Sequence, residues 1–408
     1  MKRPVALATL CLLIFASVHT PDAFSYTTDS TVPLAGGCPQ PNRWNLTLAS
    51  PLNRRWWSTS LPLTSTTILT VAAQGTPAQL NEIEQSISDS FEAWTGVPGT
   101  TFNTAVHPGL IAPLARITAA NSCTNDQQSN ADGLNTICFN QSSAAFTTGV
   151  LAFTRVITAN APGVSIGSSG PASFAGQILD ADTLFRNDSQ ATYATPAALA
   201  TPQGQGAYDV ESLLAHELGH WFGLDHSAVW RALMFPYAPP PGQFLGDRPT
   251  AQAPDGPLSD DDRVGIRSLY PDPADSVNIG TISGQILPAN PFALANIPAP
   301  ATGSFVTGIF GAQVVAVDAD TGSVVSATLG GWSCTAASQQ LKFDGSYEIG
   351  CLPLKHNYKI YAEPLEGLVT PANLSDPLTS LCGPPSAPSC DAPAANTNFN
   401  PRTRPASP

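Results

Sequence analysis

Residues 210–226 read Val-Glu-Ser-Leu-Leu-Ala-His-Glu-Leu-Gly-His-Trp-Phe-Gly-Leu-Asp-His. His216 and His220 stand four positions apart, so on an α-helix they differ by roughly 40° around the axis and project from one face. Glu217 adjoins the first histidine and can reach a water on a metal without itself binding. Gly223 can take the left-handed conformation that ends a helix and swings the chain back, which lets His226 approach as a third ligand. Three neutral imidazoles leave a tetrahedral Zn2+ one open position, the arrangement of a catalytic rather than a structural site. A bare His-Glu-x-x-His also arises by accident on ordinary surface helices. Requiring Gly223 and His226 at fixed offsets lowers that chance to on the order of one in ten million windows. Only six histidines exist in the chain, and three are in this stretch.

The rest of the composition bounds the setting. The 408 residues are enough for two or three domains, each with its own core. Apolar residues make up 42%, which excludes a disordered acidic tail, and charged residues only 12%. A balance of 30 Asp+Glu against 17 Lys+Arg, net −13, argues against a nucleic-acid partner, which would call for a basic patch. The 39 prolines and 32 glycines suit a loop-rich, β-containing exported protein. Lys2 and Arg3 precede an apolar run from Val5 to Val18, and Ala23-Phe24-Ser25 offers a small-x-small cleavage site, so residues 1–25 read as a secretory signal peptide. An uncleaved anchor is the alternative, but the run is short for a span and no later run reaches 18 apolar residues. No stable membrane span is therefore expected after signal removal. Loss of Cys11 with the signal leaves seven cysteines, an odd number. The nearest-neighbour pairs Cys123–Cys138, Cys334–Cys351 and Cys382–Cys390 are plausible, although spacing cannot deduce connectivity.

After the signal, residues 26–42 form a short N-terminal segment and 43–271 a mixed unit. Thr76 and Pro77 signal a helix start; Leu80, Ile83, Ile87, Phe91 and Trp94 then recur at helical spacing until Gly96. Residues 67–72, 135–139, 149–158 and 177–185 are strand candidates, and a last helix is expected over about 259–270. The fold class is α+β. Pro271 to Asp275 begins a linker over 272–279. Between 280 and 370, five short β-rich runs with turns at Asp320-Thr321-Gly322 and Asp344-Gly345 predict a small all-β sandwich. Residues 371–408 form a Pro/Ser/Ala-rich tail.

At the histidine stretch the chain resembles the metzincins, whose pattern is HExxHxxGxxH followed by a methionine turn. Met234, in Ala232-Leu233-Met234-Phe235-Pro236, and Ser227 are similar to the matrixin form. Leu258 to Tyr270 resembles the closing helix of matrixin catalytic domains, Phe91-Glu92-Ala93-Trp94 the end of their first helix, and Ile178 to Phe185 their edge strand. The resemblance implies a mixed twisted sheet with three helices over about 43–271. It implies that His216, His220 and His226 bind one catalytic zinc and that Glu217 is the general base. It further implies that Met234 forms an apolar floor beneath the metal, that Asp261 braces the methionine turn, that Asp262 pairs with another buried group, and that Ser212 helps line the main substrate pocket. The loop 236–257 would form that pocket's outer wall. Matrixins commonly carry a second, structural zinc; His107 is the one further histidine of this unit, so that site is expected to be absent. Ca2+ is possible near Asp180 and Asp182. Cys38 could plug the metal as a thiolate, against an ordinary disulfide or free thiol. The 280–370 unit resembles carboxypeptidase-regulatory or transthyretin-like β-sandwiches.

These observations together predict a secreted zinc-dependent endopeptidase, a monomer acting on protein or peptide substrates. The alternative is a catalytically silent extracellular binding or adhesion protein on the same scaffold. A zinc hydrolase acting on non-peptide substrates is a third reading.

Overall fold

The computed structural model describes residues 28–47 except 32 and 36, then 51–57, 62, 64, 76–117, 132–141, 146, 148–186, 191–244, 246, 257–288, 307–334 and 341–364. The signal peptide at 1–25, the strand candidate at 67–72, Cys123, Cys382, Cys390 and the tail at 371–408 lie outside the described residues.

Helix α1 runs Pro77–Thr95. Thr76 begins it with a reciprocal cap: its hydroxyl accepts from Gln79 N, and Gln79 Oε1 accepts from Thr76 N at 2.7 Å. Proline fits the first turn because its missing N–H would have no helical partner there. The stripe Ile83, Ile87, Phe91 and Trp94 is buried. It faces a five-stranded sheet made of β1 (Arg55–Trp57), β2 (Ala115–Arg116), β3 (Thr136–Gln141), β4 (Ala152–Thr158) and β5 (Ile178–Arg186). The strand order is β2-β1-β3-β5-β4, with every pair parallel except β4 against β5.

That order corrects one expectation. The strand at 178–186 lies inside the sheet, and all nine of its residues are buried; among the described residues the edge on that side is β4. The edge position was implied by the matrixin resemblance alone; here Asp182 accepts from Thr136 N at 3.0 Å and from Arg155 at 3.1 Å within the sheet.

Helix α2, Val210–Trp221, lies beside α1. The two are sewn by Trp94 Nε1 donating to Ala215 O at 2.8 Å and Ser90 Oγ donating to Glu211 O at 2.9 Å. Ile137, Phe139, Ile178 and Phe185 of the sheet share one core with Phe91, Leu214, Leu218 and Trp221 of the helices. Helix α3, Asp260–Leu269, closes the unit and carries its own capping box at Ser259. The N-terminal segment crosses the end of α2: Asp29 N donates to Gly223 O at 3.1 Å, and Trp44 Nε1 donates to Trp221 O at 2.8 Å.

The C-terminal described part is all-β. Strands β6 (Ile279–Gln285) and β9 (Ser346–Pro353) pair antiparallel. A second antiparallel sheet places β7 (Ala312–Asp318) between β8 (Val324–Gly330) and β10 (Tyr358–Pro364). Both sheets contribute to one apolar cluster, Val314, Ala316, Val325, Ile349 and Leu352, and α3 adds Val264 to it. The β-rich unit is thus packed on the closing helix.

One of the pairs that spacing suggested, Cys334–Cys351, is not formed. Cys334 is bonded to Cys38, with Cα atoms 5.5 Å apart, and Cys351 is a buried free thiol. Disulfides follow spatial approach, not proximity in sequence, and the N-terminal segment is what comes alongside Cys334. Cys38, held in this bond, is no thiolate ligand for a metal. Cys138 is also disulfide-bonded. Among the described residues, no helix is long and apolar enough to cross a membrane.

Candidate metal centre

Asp209 caps α2 by accepting from Glu211 N at 3.0 Å, which starts the helix at Val210 and sets the phase of the turns beyond it. His216 and His220 then emerge on one face. Beyond Trp221 the helix stops: Gly223 has φ +98°, and its N–H donates to His220 O at 2.8 Å. A Cβ at Gly223 would lie 2.0 Å from Asn42 O, so both the backbone angle and the crossing N-terminal segment demand glycine. The chain returns and delivers His226. Ring centroids of the three histidines are 5.1, 5.4 and 4.8 Å apart, and their ligand nitrogens lie within 4.8 Å of one another. This cluster could hold a metal ion.

The rings are oriented by backbone carbonyls. His216 Nδ1 lies 2.7 Å from Leu233 O, and His220 Nδ1 lies 2.8 Å from Leu224 O. A carbonyl only accepts, so Nδ1 carries the proton in both rings and Nε2 keeps its lone pair. Burial, then the neighbouring His226, pushes His216 down to about 3, and burial takes His220 well below its usual range. Both imidazoles are therefore neutral at neutral pH, as ligands must be. Glu217 is pushed the other way, up to about 8, chiefly by burial; a hydrogen bond from Thr154 opposes the shift.

Met234 is fully buried, and Ser227 N donates to Met234 O at 2.8 Å to close the turn. Asp262 holds this turn from below: its carboxylate accepts from Leu233 N at 2.8 Å and Met234 N at 3.1 Å. Asp261 reaches the turn through Ser227 and not through the backbone of Leu233 or Met234. Its Oδ2 accepts from Ser227 Oγ at 2.5 Å, and its Oδ1 accepts from Ala327 N of β8 at 2.7 Å. Adjacent helical residues point about 100° apart. Asp262 also closes the cap of α3 by accepting from Ser259 N at 2.7 Å, which fixes it as the inward member of the pair. Burial raises both carboxyls, Asp261 up to about 7, with the neighbouring Asp262 as the second cause there.

Ser212 is buried in the first turn of α2, its hydroxyl turned toward Asp209 O at 3.4 Å. Asp262 carries the role expected of Asp261, and two further contributors were not singled out from sequence. Thr154 of β4 touches Glu217. Gly219, between the two helical histidines, is needed because a Cβ there would lie 2.1 Å from Met234 Sδ. A glycine inside a helix costs about 1 kcal/mol against alanine, and that cost was the available signal for Gly219.

Residues 160–271 match the family model described as Matrixin. Metalloendoproteinase 1 of Glycine max is 41% identical over 64 residues, which is 16% of this chain and 17% of that protein. The chain thus spans about a sixth of the length of the curated relative it matches. The matched residues contain the three histidines, Glu217, Met234, Asp261 and Asp262. Over residues 160–271 the chain is therefore similar to the matrixins.

Proposed function

We propose that the protein is a secreted, zinc-dependent endopeptidase acting on extracellular proteins, with residues 43–271 as its catalytic unit. The observation that carries this reading is the convergence of three imidazoles, two of them held neutral with Nε2 unprotonated, beside a buried carboxyl. His216, His220 and His226 would hold one zinc ion. When bound, zinc polarises the scissile carbonyl and lowers the pKa of water. Glu217 takes the water's proton and later delivers it to the leaving amine; burial, which favours its protonated form, suits the second step. Met234 supplies the apolar floor, and Asp262 keeps that floor fixed. Among the described residues β4 is the edge of the sheet, and an extended substrate peptide would bind there by strand addition. Ser212 would help line an open pocket that accepts a large apolar side chain, with the loop 236–257, of which 245 and 247–256 lie outside the described residues, as its outer wall. A preference for small or charged residues just after the cut, in peptide-library profiling, would remove that pocket.

Calcium is part of the proposal near Asp180 and Asp182, both fully buried, where burial raises the Asp180 carboxyl. The β-rich unit at 280–370 we read as a sandwich with a binding or stabilising task. The test is metal analysis with casein or gelatin digestion by wild type and Glu217→Ala. About one zinc per chain and a large loss of digestion in the variant are expected; equal digestion by both would end the mechanism.

A further inference from the structure

Thr154 stands on β4, in the strand proposed to receive substrate, yet its side chain is engaged with Glu217. Its Oγ1 lies 2.9 Å from Glu217 Oε2 and 2.9 Å from the backbone oxygen of the same residue. A third oxygen, Thr183 Oγ1, also lies 2.9 Å away. Thr183 sits directly opposite Thr154 in the β4–β5 register and is buried.

A hydroxyl carries one proton and two lone pairs. With Glu217 ionised, as taking a proton from water requires, its backbone oxygen and its carboxylate are both acceptors, so the single proton of Thr154 is shared between two oxygens of one residue. Thr183 then donates to a Thr154 lone pair, and the bonds run in one direction, from Thr183 through Thr154 to Glu217. Bridging the main chain and the side-chain end of Glu217 through one hydroxyl restricts every torsion between them. Threonine suits this task because its branched Cβ restricts its own rotamer in a strand. Valine has nearly the same shape without the hydroxyl, and serine has the hydroxyl without the branch.

We propose that Thr154, backed by Thr183, is a positioning residue: its hydroxyl holds the Glu217 carboxylate in one orientation beside the three histidines and thereby sets the turnover rate. The proposal rests on the endopeptidase reading for its rate effect and not for its geometric claim. Because Thr154 lies on the substrate-receiving edge, it also links the strand that would carry the peptide to the group that would move the proton.

The test uses the full chain with Thr154→Val, Thr154→Ala and Thr154→Ser, read in kinetics on a peptide substrate, in zinc content and in crystal structures without substrate. Thr154→Val and Thr154→Ala are expected to lower kcat about tenfold, the scale of losing a hydrogen bond to a charged group. KM is expected to stay within about twofold and zinc content to be unchanged, while Thr154→Ser keeps kcat within about threefold. In the crystals Glu217 should hold one rotamer in wild type and Thr154→Ser, and spread over several in the other two. A wild-type kcat in Thr154→Val and Thr154→Ala, or a serine variant as slow as they are, would overturn the proposal. So would an unchanged Glu217 rotamer once the hydroxyl is gone. If wild type with zinc cleaves no peptide, the endopeptidase reading fails, and the rotamer comparison still decides the positioning claim.

Discussion

The metal-site region and the β-rich unit treat their aspartates in opposite ways. Asp261 and Asp262, on α3, are buried side by side, and both carboxyls are raised. Asp318, at the end of β7, sits at a turn where Asp320 N and Thr321 N donate at 2.8 and 3.0 Å and His356 Nδ1 lies at 2.7 Å. Those bonds, led by Thr321 N, pull it down to about 2. One region spends stability to hold charged groups in an apolar setting, whereas the other uses a carboxylate to tie a turn and fills its interior with Val314, Ala316, Ile349 and Leu352. The difference marks where function sits: strained electrostatics gather around the histidines, and ordinary packing supports them from outside.

The sharpest way to separate the regions is to remove Glu217. Glu217→Ala should lower kcat by about a thousandfold or more while zinc is retained, checked by digestion assays with metal analysis. Next in size is the bond between the regions: replacing Cys38 and Cys334 together by serine should cost roughly 2–5 kcal/mol in urea unfolding. A third measurement compares glycines. Gly219→Ala drives a Cβ into Met234 and should cost about 1–3 kcal/mol with weaker metal binding, an overpacking penalty. Gly280→Ala meets only the end of the half-exposed Leu354 side chain, which can turn away, and should cost under about 1 kcal/mol.

Two further effects are in pH dependence, and their signs oppose. The folded pKa of Asp261 lies above its ordinary 3.8, so its share of stability is greatest below about pH 4 and is lost as pH rises through about 7. The folded pKa of Asp318 lies below 3.8, so its share is present above about pH 4 and is lost as pH falls toward 2. Melting temperature against pH should therefore decline less steeply between pH 4 and 7 in Asp261→Asn. In Asp318→Asn it should decline less steeply below pH 4. Matching slopes in both variants would erase the contrast between the regions.

How far the sequence spoke depends on the distance over which each feature is determined. The placement of His216 and His220 on one face follows from helix pitch alone, and Gly223 signals its own turn, so the cluster was legible. The stripe from Ile83 to Trp94 was legible for the same reason. Asp261 and Asp262 were assigned each other's surroundings, because their facing depends on how α3 is rotated against the methionine turn and against β8. The edge strand was misplaced because it was assigned by resemblance, whereas strand order depends on long-range pairing that sets 178–186 between two other strands. Thr154 carried no local mark; a threonine in a strand is ordinary until Glu217 is found beside it.

The bond from Cys38 to Cys334 spans 296 residues, and every residue of the histidine cluster lies between its ends. A single cut at any peptide bond from 39 to 333, by the protein itself or by another protease, cannot release a fragment. The nicked molecule would run as one band without reductant and as two with it. Its metal centre would stay on a covalently closed frame. For a protein proposed to be a secreted endopeptidase, damage to a surface loop is thereby separated from loss of the molecule.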